Sequence, residues 1–435
     1  MIRRLCALGA LLVLSACGGG GGGGGGSSVS SSPPPPTTLT NFVTITVDGG
    51  PAVLNTGPNA YISDNTPYVS VTLCAPGTTN CQTIDHVLVD TGSVGLRIFQ
   101  SVLTPSLLSA LPQQTDASAN PVGECYGFID GYIFGSVRQA DFQIGGEQVL
   151  NMPLQVIGDS GVFSTAPSSC SSGGGPNLNT VQAFGANGVI GIGLTTTDCG
   201  TLCQSAGGFG AAIYYDCPTS GCVSIIARTA ATAAPFQQLP NPVAAMSVDN
   251  NGTIVSFPAA PAGGEASLTG TLYFGIGTQT NNALGSATVL TTTPSTNPNG
   301  AGLVTVVYAG QSLDESFIDS GSNLYLFVDG TITPCANANF VGFYCPSSTL
   351  SLSSTIQGLN GVSAPAPFTI GNAQTLLSNT FTVSPGIGGN PNVLNNVIAF
   401  PNSFDFGLPF FYGRNVYTAL EGRSAGGTVG PYFAY

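Results

Sequence analysis

Two short stretches carry the residues best suited to chemistry. In VLVDTGSVGLRIF (87–99) Asp90 is followed by Thr91, Gly92 and Ser93; in SFIDSGSNLYLF (316–327) Asp319 is followed by Ser320, Gly321 and Ser322. Each copy ends a hydrophobic run on a carboxylate and continues with hydroxyl, glycine, hydroxyl. Glycine lets the backbone turn tightly and lets another segment or a ligand come close. The hydroxyls can hydrogen-bond neighbouring backbone and fix each acid's orientation. Two carboxylates about 3 Å apart repel by roughly 5 kcal/mol at an effective dielectric of about 20, or about four pK units, so such a pair shares one proton. A water held between them can lose a proton to the ionised acid while the protonated acid polarises a peptide carbonyl.

Other constellations compete less well. Gly158-Asp159-Ser160-Gly161 has the form of a serine-protease nucleophile segment, but a serine hydrolase needs a histidine base and His86 is the chain's single histidine. A polar turn after a strand at 152–157 is the better reading. His86 lies on the strand leading to Asp90, roughly 13 Å before it, which favours a surface or edge residue. Asp85, Asp130, Asp141 and Glu147 read as solvated loop acids. The two motif aspartates are 229 residues apart, too far for a local metal loop, and no cofactor is implied.

The elements that must position the two acids are strands. Only 6% of the 435 residues are charged, lysine is absent, and Gly, Pro, Ser, Thr and Asn punctuate short runs rich in Val, Ile, Phe and Tyr, the composition of an all-β protein. No helical period persists beyond a few turns. A formal charge of −13 repels phosphate backbones and argues against a nucleic-acid partner. The stretch 236–257, with two prolines and an Asp-Asn-Asn-Gly turn, separates the two motifs, so the expected division is an N-terminal lobe (41–235) carrying Asp90 and a C-terminal lobe (236–435) carrying Asp319.

The twin motifs and their surroundings resemble the pepsin-like aspartic proteases over about residues 60–435. PYVSVTLCAPGTTNCQTIDHVLVDTGS (67–93) looks like the strand, turn and strand leading into the first aspartate. CYGFIDGYIFGSVRQADFQIGG (125–146) resembles the flap hairpin, whose tyrosine would be Tyr126. GANGVIGIG (185–193) is similar to the segment crossing behind the first acid, with Val189, Ile190 and Gly191 in the key places. NPVAAMS (241–247) resembles the linker into the second lobe, GTLYFGIG (270–277) a strand pair following it, and FDFGLPFFYGRNVYTAL (404–420) the closing segment, with Gly407 behind Asp319. The resemblance implies a bilobal β-barrel fold with a cleft between lobes, a monomer, peptide or protein substrates, and hydrolysis by Asp90 and Asp319. Thr91, Gly92, Ser93, Ser320, Gly321 and Ser322 would orient the acids, and Tyr126 would close over substrate. A catalytically silent relative binding peptide or glycan in the same cleft is the alternative. Two departures stand out: Val94-Gly95-Leu96-Arg97 replaces the Ser-Asn pair and tryptophan common in that family, and the chain has no tryptophan. Arg97 near the cleft would alter substrate preference or pair with an acid. A basic propeptide is also missing.

At the N-terminus Arg3 and Arg4 precede an apolar run and Leu14-Ser15-Ala16-Cys17, which resembles a bacterial lipoprotein signal. This implies a signal peptide (1–16), lipid on Cys17 and, with Gly18 following, the outer membrane of the cell envelope. Nine glycines, serines and Pro33–Pro36 then read as a tether (17–40) with an r.m.s. reach of roughly 25 Å. Without Cys6 and Cys17 ten cysteines remain, an even number in an oxidising compartment. Local spacing suggests Cys74–Cys81, Cys199–Cys203, Cys217–Cys222 and Cys335–Cys345, leaving Cys125 for Cys170. Sequence alone does not fix this connectivity. A zinc site competes poorly with a single histidine to offer.

Overall fold

The computed structural model describes residues 40–57, 60–172, 175–200, 212–225, 237–297, 300–394 and 402–435. The expected signal peptide, the lipidated Cys17, the tether up to residue 39, Cys203 and the lobe boundary near 235 lie outside the described residues. Leu39–Tyr435 is one compact unit. It is mostly β, with barrel-like sheets. Among the described residues the strands form a 15-stranded sheet, a seven-stranded sheet and a two-stranded ribbon.

The first eight strands are β1 (Phe42–Val47), β2 (Pro67–Cys74), β3 (Cys81–Asp90), β4 (Val94–Phe99), β5 (Val122–Gly127), β6 (Tyr132–Ile144), β7 (Glu147–Ile157) and β8 (Gly188–Ile192). β4 and β8 are buried along their whole length. Their near-continuous apolar sequences suit strands covered on both faces. β8 runs parallel to β3, with Gly191 opposite Asp90, and antiparallel to β4. β4 in turn runs parallel to β7.

The same four-strand pattern recurs around Asp319. Asp405–Phe406 runs parallel to Gln311–Ile318 and antiparallel to Tyr325–Leu326, which runs parallel to Gly388–Gly389. Each acid therefore sits at the C-terminal end of a strand whose inner neighbour arrives from much later in the chain. Gly407 follows that neighbour and packs against the carbonyls of Ser322 and Leu324. β1 joins β2 to Leu268–Phe274, so the large sheet contains strands from both halves of the sequence.

The core behind Asp319 is aromatic. Phe404 stacks on Phe327 at 4.6 Å and on Phe406 at 4.2 Å, with Tyr308 and Phe368 edge-on or tilted around them. Such pairs add about 0.5–1.5 kcal/mol each beyond their buried area and hold the Asp405–Phe406 strand in place. Disulfides Cys74–Cys81, Cys217–Cys222 and Cys335–Cys345 are present, as the local spacing suggests, and so is Cys125–Cys170, the pair left over. Gly158–Gly161 forms a turn at the end of β7, and Asp159 is buried there against Arg138 at 2.8 Å.

Candidate functional site

The two motifs meet face to face through reciprocal exchanges. The Ser320 amide donates to Thr91 Oγ1 at 2.9 Å, and the Thr91 amide donates to Ser320 Oγ at 3.1 Å. Ser320 Oγ donates onward to the Val89 carbonyl at 2.7 Å. Thr91 and Ser320 are buried, so these bonds fix the relative position of the two loops with no water competing.

Glycine is obligatory at the next position. A Cβ on Gly92 would lie 2.6 Å from Asp319 Cγ, and one on Gly321 would lie 2.7 Å from Asp90 Cγ. Each loop's glycine is thus the seat of the other loop's carboxyl. Asp90 accepts from the Gly92 amide (2.8 Å), the Ser93 amide (3.1 Å) and Ser93 Oγ (2.5 Å), three donors that suit a carboxylate. Asp319 accepts from the Gly321 amide (2.8 Å) and Ser322 Oγ (3.1 Å). Burial, and then the neighbouring Asp90 charge, push Asp319 well above the ordinary carboxylate range. The two carboxyls are hydrogen-bond neighbours, so the pair holds one proton between them.

The acids lie in a cavity of about 520 Å³. Its apolar lining includes Ile62, Phe128, Phe184, Leu324, Phe343 and Leu394, and its titratable lining is entirely acidic apart from Tyr61: Asp64, Asp90, Asp130 and Asp319. Burial raises Asp64 to about 6. Asn65 and Asn323 stitch the 61–66 segment to the second acid's loop: Asn65 Nδ2 donates to the Asn323 carbonyl and Asn323 Nδ2 to the Asp64 carbonyl. Neither asparagine stood out in the sequence, because a side-chain amide in a loop carries no pattern of its own.

Tyr126 lies on the β5–β6 hairpin but does not line the cavity. It is buried, with the Arg97 guanidinium 3.7 Å above its ring and Phe128 at 4.9 Å. Phe128, Ile129 and Asp130, at the hairpin tip, face the cavity instead. Arg97 is fully buried and absent from the cavity wall, which corrects its expected place near the cleft. It pairs with Glu124 at 2.7 Å and Asp198 at 3.2 Å, so it fills space beneath the hairpin. Burial and the Glu124 charge hold the Asp198 carboxyl well above its usual range.

Of the four acids expected to be solvated in loops, Asp141 and Glu147 are buried, whereas Asp85 and Asp130 are exposed. Asp141 is buried on β6, where it accepts from the Gly77 and Asn151 amides at 2.8 Å each, and Glu147 is buried at the start of β7. Asp130 stays exposed but lines the cavity. His86 is partly buried between Asp48 (3.3 Å) and Asp85 (3.1 Å). Its hydrogen bond to Asp48 raises its pKa despite burial. Among the described residues no group of three or more His, Cys, Asp or Glu side chains is arranged to hold a metal ion.

A duplicated strand–loop unit with two facing aspartates defines a protein of the pepsin-like acid-proteinase fold. The chain belongs to the family described as protein of unknown function (DUF3443), whose model matches residues 37–435. No curated protein matches the sequence. Among solved structures it is similar to an aspartic proteinase from Irpex lacteus, at 16% identity over 90% of this chain and 96% of that one, with a TM-score of 0.48.

Proposed function

We propose that this protein is an aspartic endopeptidase that hydrolyses peptide bonds with water held between Asp90 and Asp319. The observation that carries this reading is the mutual seating of the two carboxyls, each against the other loop's glycine, at the wall of a mostly apolar cavity. Asp90, ringed by three donors, takes a proton from the water as its oxygen attacks the peptide carbonyl. Asp319, which holds the pair's proton, gives it to the carbonyl oxygen, and a tetrahedral diol results. Asp90 then returns its proton to the amide nitrogen, Asp319 recovers one from the diol, and the C–N bond breaks. Four carboxyls and no cation among the described lining residues disfavour acidic peptides.

Cleavage of an unbiased peptide library by the full chain, from acidic to neutral pH, tests this. Asp90→Asn and Asp319→Asn are each expected to lower cleavage by roughly 10²–10⁴-fold, and a statine-type inhibitor to block it. A folded chain that cleaves nothing at any pH overturns the reading. It would leave a binder of peptide or glycan in the same cavity, the alternative favoured by Tyr126, which is packed against Arg97 and does not line the cavity.

A further inference from the structure

The two acid loops are built alike, yet one residue breaks the likeness. In the first unit Val189 lies opposite Leu88, two residues before Asp90. In the second, the place opposite Phe317, two residues before Asp319, is held by Asp405. This third carboxyl is only 2% exposed, and its Oδ1 has no hydrogen-bond partner. Its Oδ2 lies 2.6 Å from Ser322 Oγ, the same hydroxyl that reaches Asp319 Oδ2 at 3.1 Å. Ser93, the counterpart of Ser322, bonds Asp90 at 2.5 Å.

We propose that Asp405 is a positioning residue for the acid pair: acting on Asp319 largely through Ser322, it governs how firmly Asp319 holds the shared proton and extends the site's working range on its alkaline side. This rests on the hydrolytic function proposed above. Ser322 has a single proton to give. While Asp405 is neutral, its O–H donates to Ser322 Oγ and Ser322 donates to Asp319, so both short contacts are satisfied. Once Asp405 ionises, Ser322 turns its proton to the shorter contact. Asp319 then loses a donor and gains a negative neighbour, and both changes make its proton harder to remove.

Burial, with the Asp90 charge adding to it, raises Asp405 to about 8. The titratable groups facing it are Asp319, carried on the loop after Gln311–Ile318, and Asp90 from the opposite loop. Among the described residues no cation pairs with it. Up to about that pH Asp405 stays neutral; above it the ionised Asp405 keeps the pair's proton on Asp319, so the single negative charge within the pair survives where an isolated pair would lose its proton.

The test is a carbon-13 titration of aspartate-labelled full chain, run beside the pH profile of kcat/KM on the peptide library. In the wild type a carboxyl carbon that vanishes in Asp405→Asn is expected to titrate near pH 8. The amide introduced by Asp405→Asn cannot ionise and always donates to Ser322, so the upper titration of the pair should fall. The alkaline limb of kcat/KM should move down by about one pH unit, about a tenfold loss on that limb, with the acid limb unmoved. Ser322→Ala should shrink the response of Asp319 to Asp405 to its through-space part, and Ser322→Thr should retain it whole. A uniform loss across all pH would mean a merely structural residue and overturn the proposal. So would an Asp405 already ionised at acidic pH, or an upper titration unmoved in Asp405→Asn. A chain that cleaves nothing while Asp405→Asn still shifts the pair's titration sinks hydrolysis and leaves the coupling standing.

Discussion

At the residue scale, the pair is fixed by bonds that cross between loops. Thr91→Val keeps the side chain's shape but removes the acceptor for the Ser320 amide, which is buried and has no water to replace it. Stranding that amide should cost about 1–3 kcal/mol, read as a lower urea midpoint, and should loosen the acids' alignment enough to lower kcat more than it raises KM. An unchanged midpoint would mean that the exchange carries no weight. These residues were legible in the sequence because acid, hydroxyl, glycine and hydroxyl are consecutive and occur twice. Asp405 was not, since its partner Ser322 is 83 residues away and nothing in Phe404-Asp405-Phe406-Gly407 marks the acid as buried.

At the element scale, the strand–loop–strand units were legible from apolar runs ending on turn residues, and the β5–β6 hairpin from its glycine-rich tip. The filling beneath that hairpin was not. Arg97 alone was noticed, while Glu124 on β5 and Asp198 beyond β8 reach it only through folding. Asp141 misled for a related reason: an acid near a turn looks solvated until the amides of Gly77 and Asn151 converge on it. Arg97→Met would leave two buried carboxyls without their cation, and should destabilise the fold by about 3–5 kcal/mol near neutral pH. The loss should shrink in acid, where the stranded carboxyls take up protons. A variant as stable as the parent would show that the cluster does not hold β4 to β5.

At the scale of the whole molecule, several buried carboxyls have pKa values raised by burial: Asp64 to about 6, Asp405 to about 8, and Asp198 and Asp319 well above the ordinary range. A carboxyl whose folded pKa exceeds its unfolded value of about 3.9 favours the folded state fully below that value. The contribution is lost as pH rises through the folded one. His86, raised mainly by its hydrogen bond to Asp48, acts in the same direction from about 6.5 upward, and self-repulsion at a net charge of −13 adds to it. Asp48 and Asp329, both lowered and both hydrogen-bonded, oppose this only in strong acid. The urea midpoint should therefore be higher near pH 5 than near pH 8, and Asp405→Asn should flatten part of that slope. A midpoint that rises over the same interval would contradict this sign.

The reciprocal exchange between Thr91 and Ser320 also sets a clock. The two residues are 229 positions apart, and chains are made at about 5–20 residues per second. About ten to fifty seconds therefore separate the making of the first acid's loop from that of the hydroxyl that locks it. Asp405–Phe406, the strand that backs the second acid, follows later still. Whatever this pair of acids does, a growing chain cannot begin it before both loops and the strand behind the second have been made.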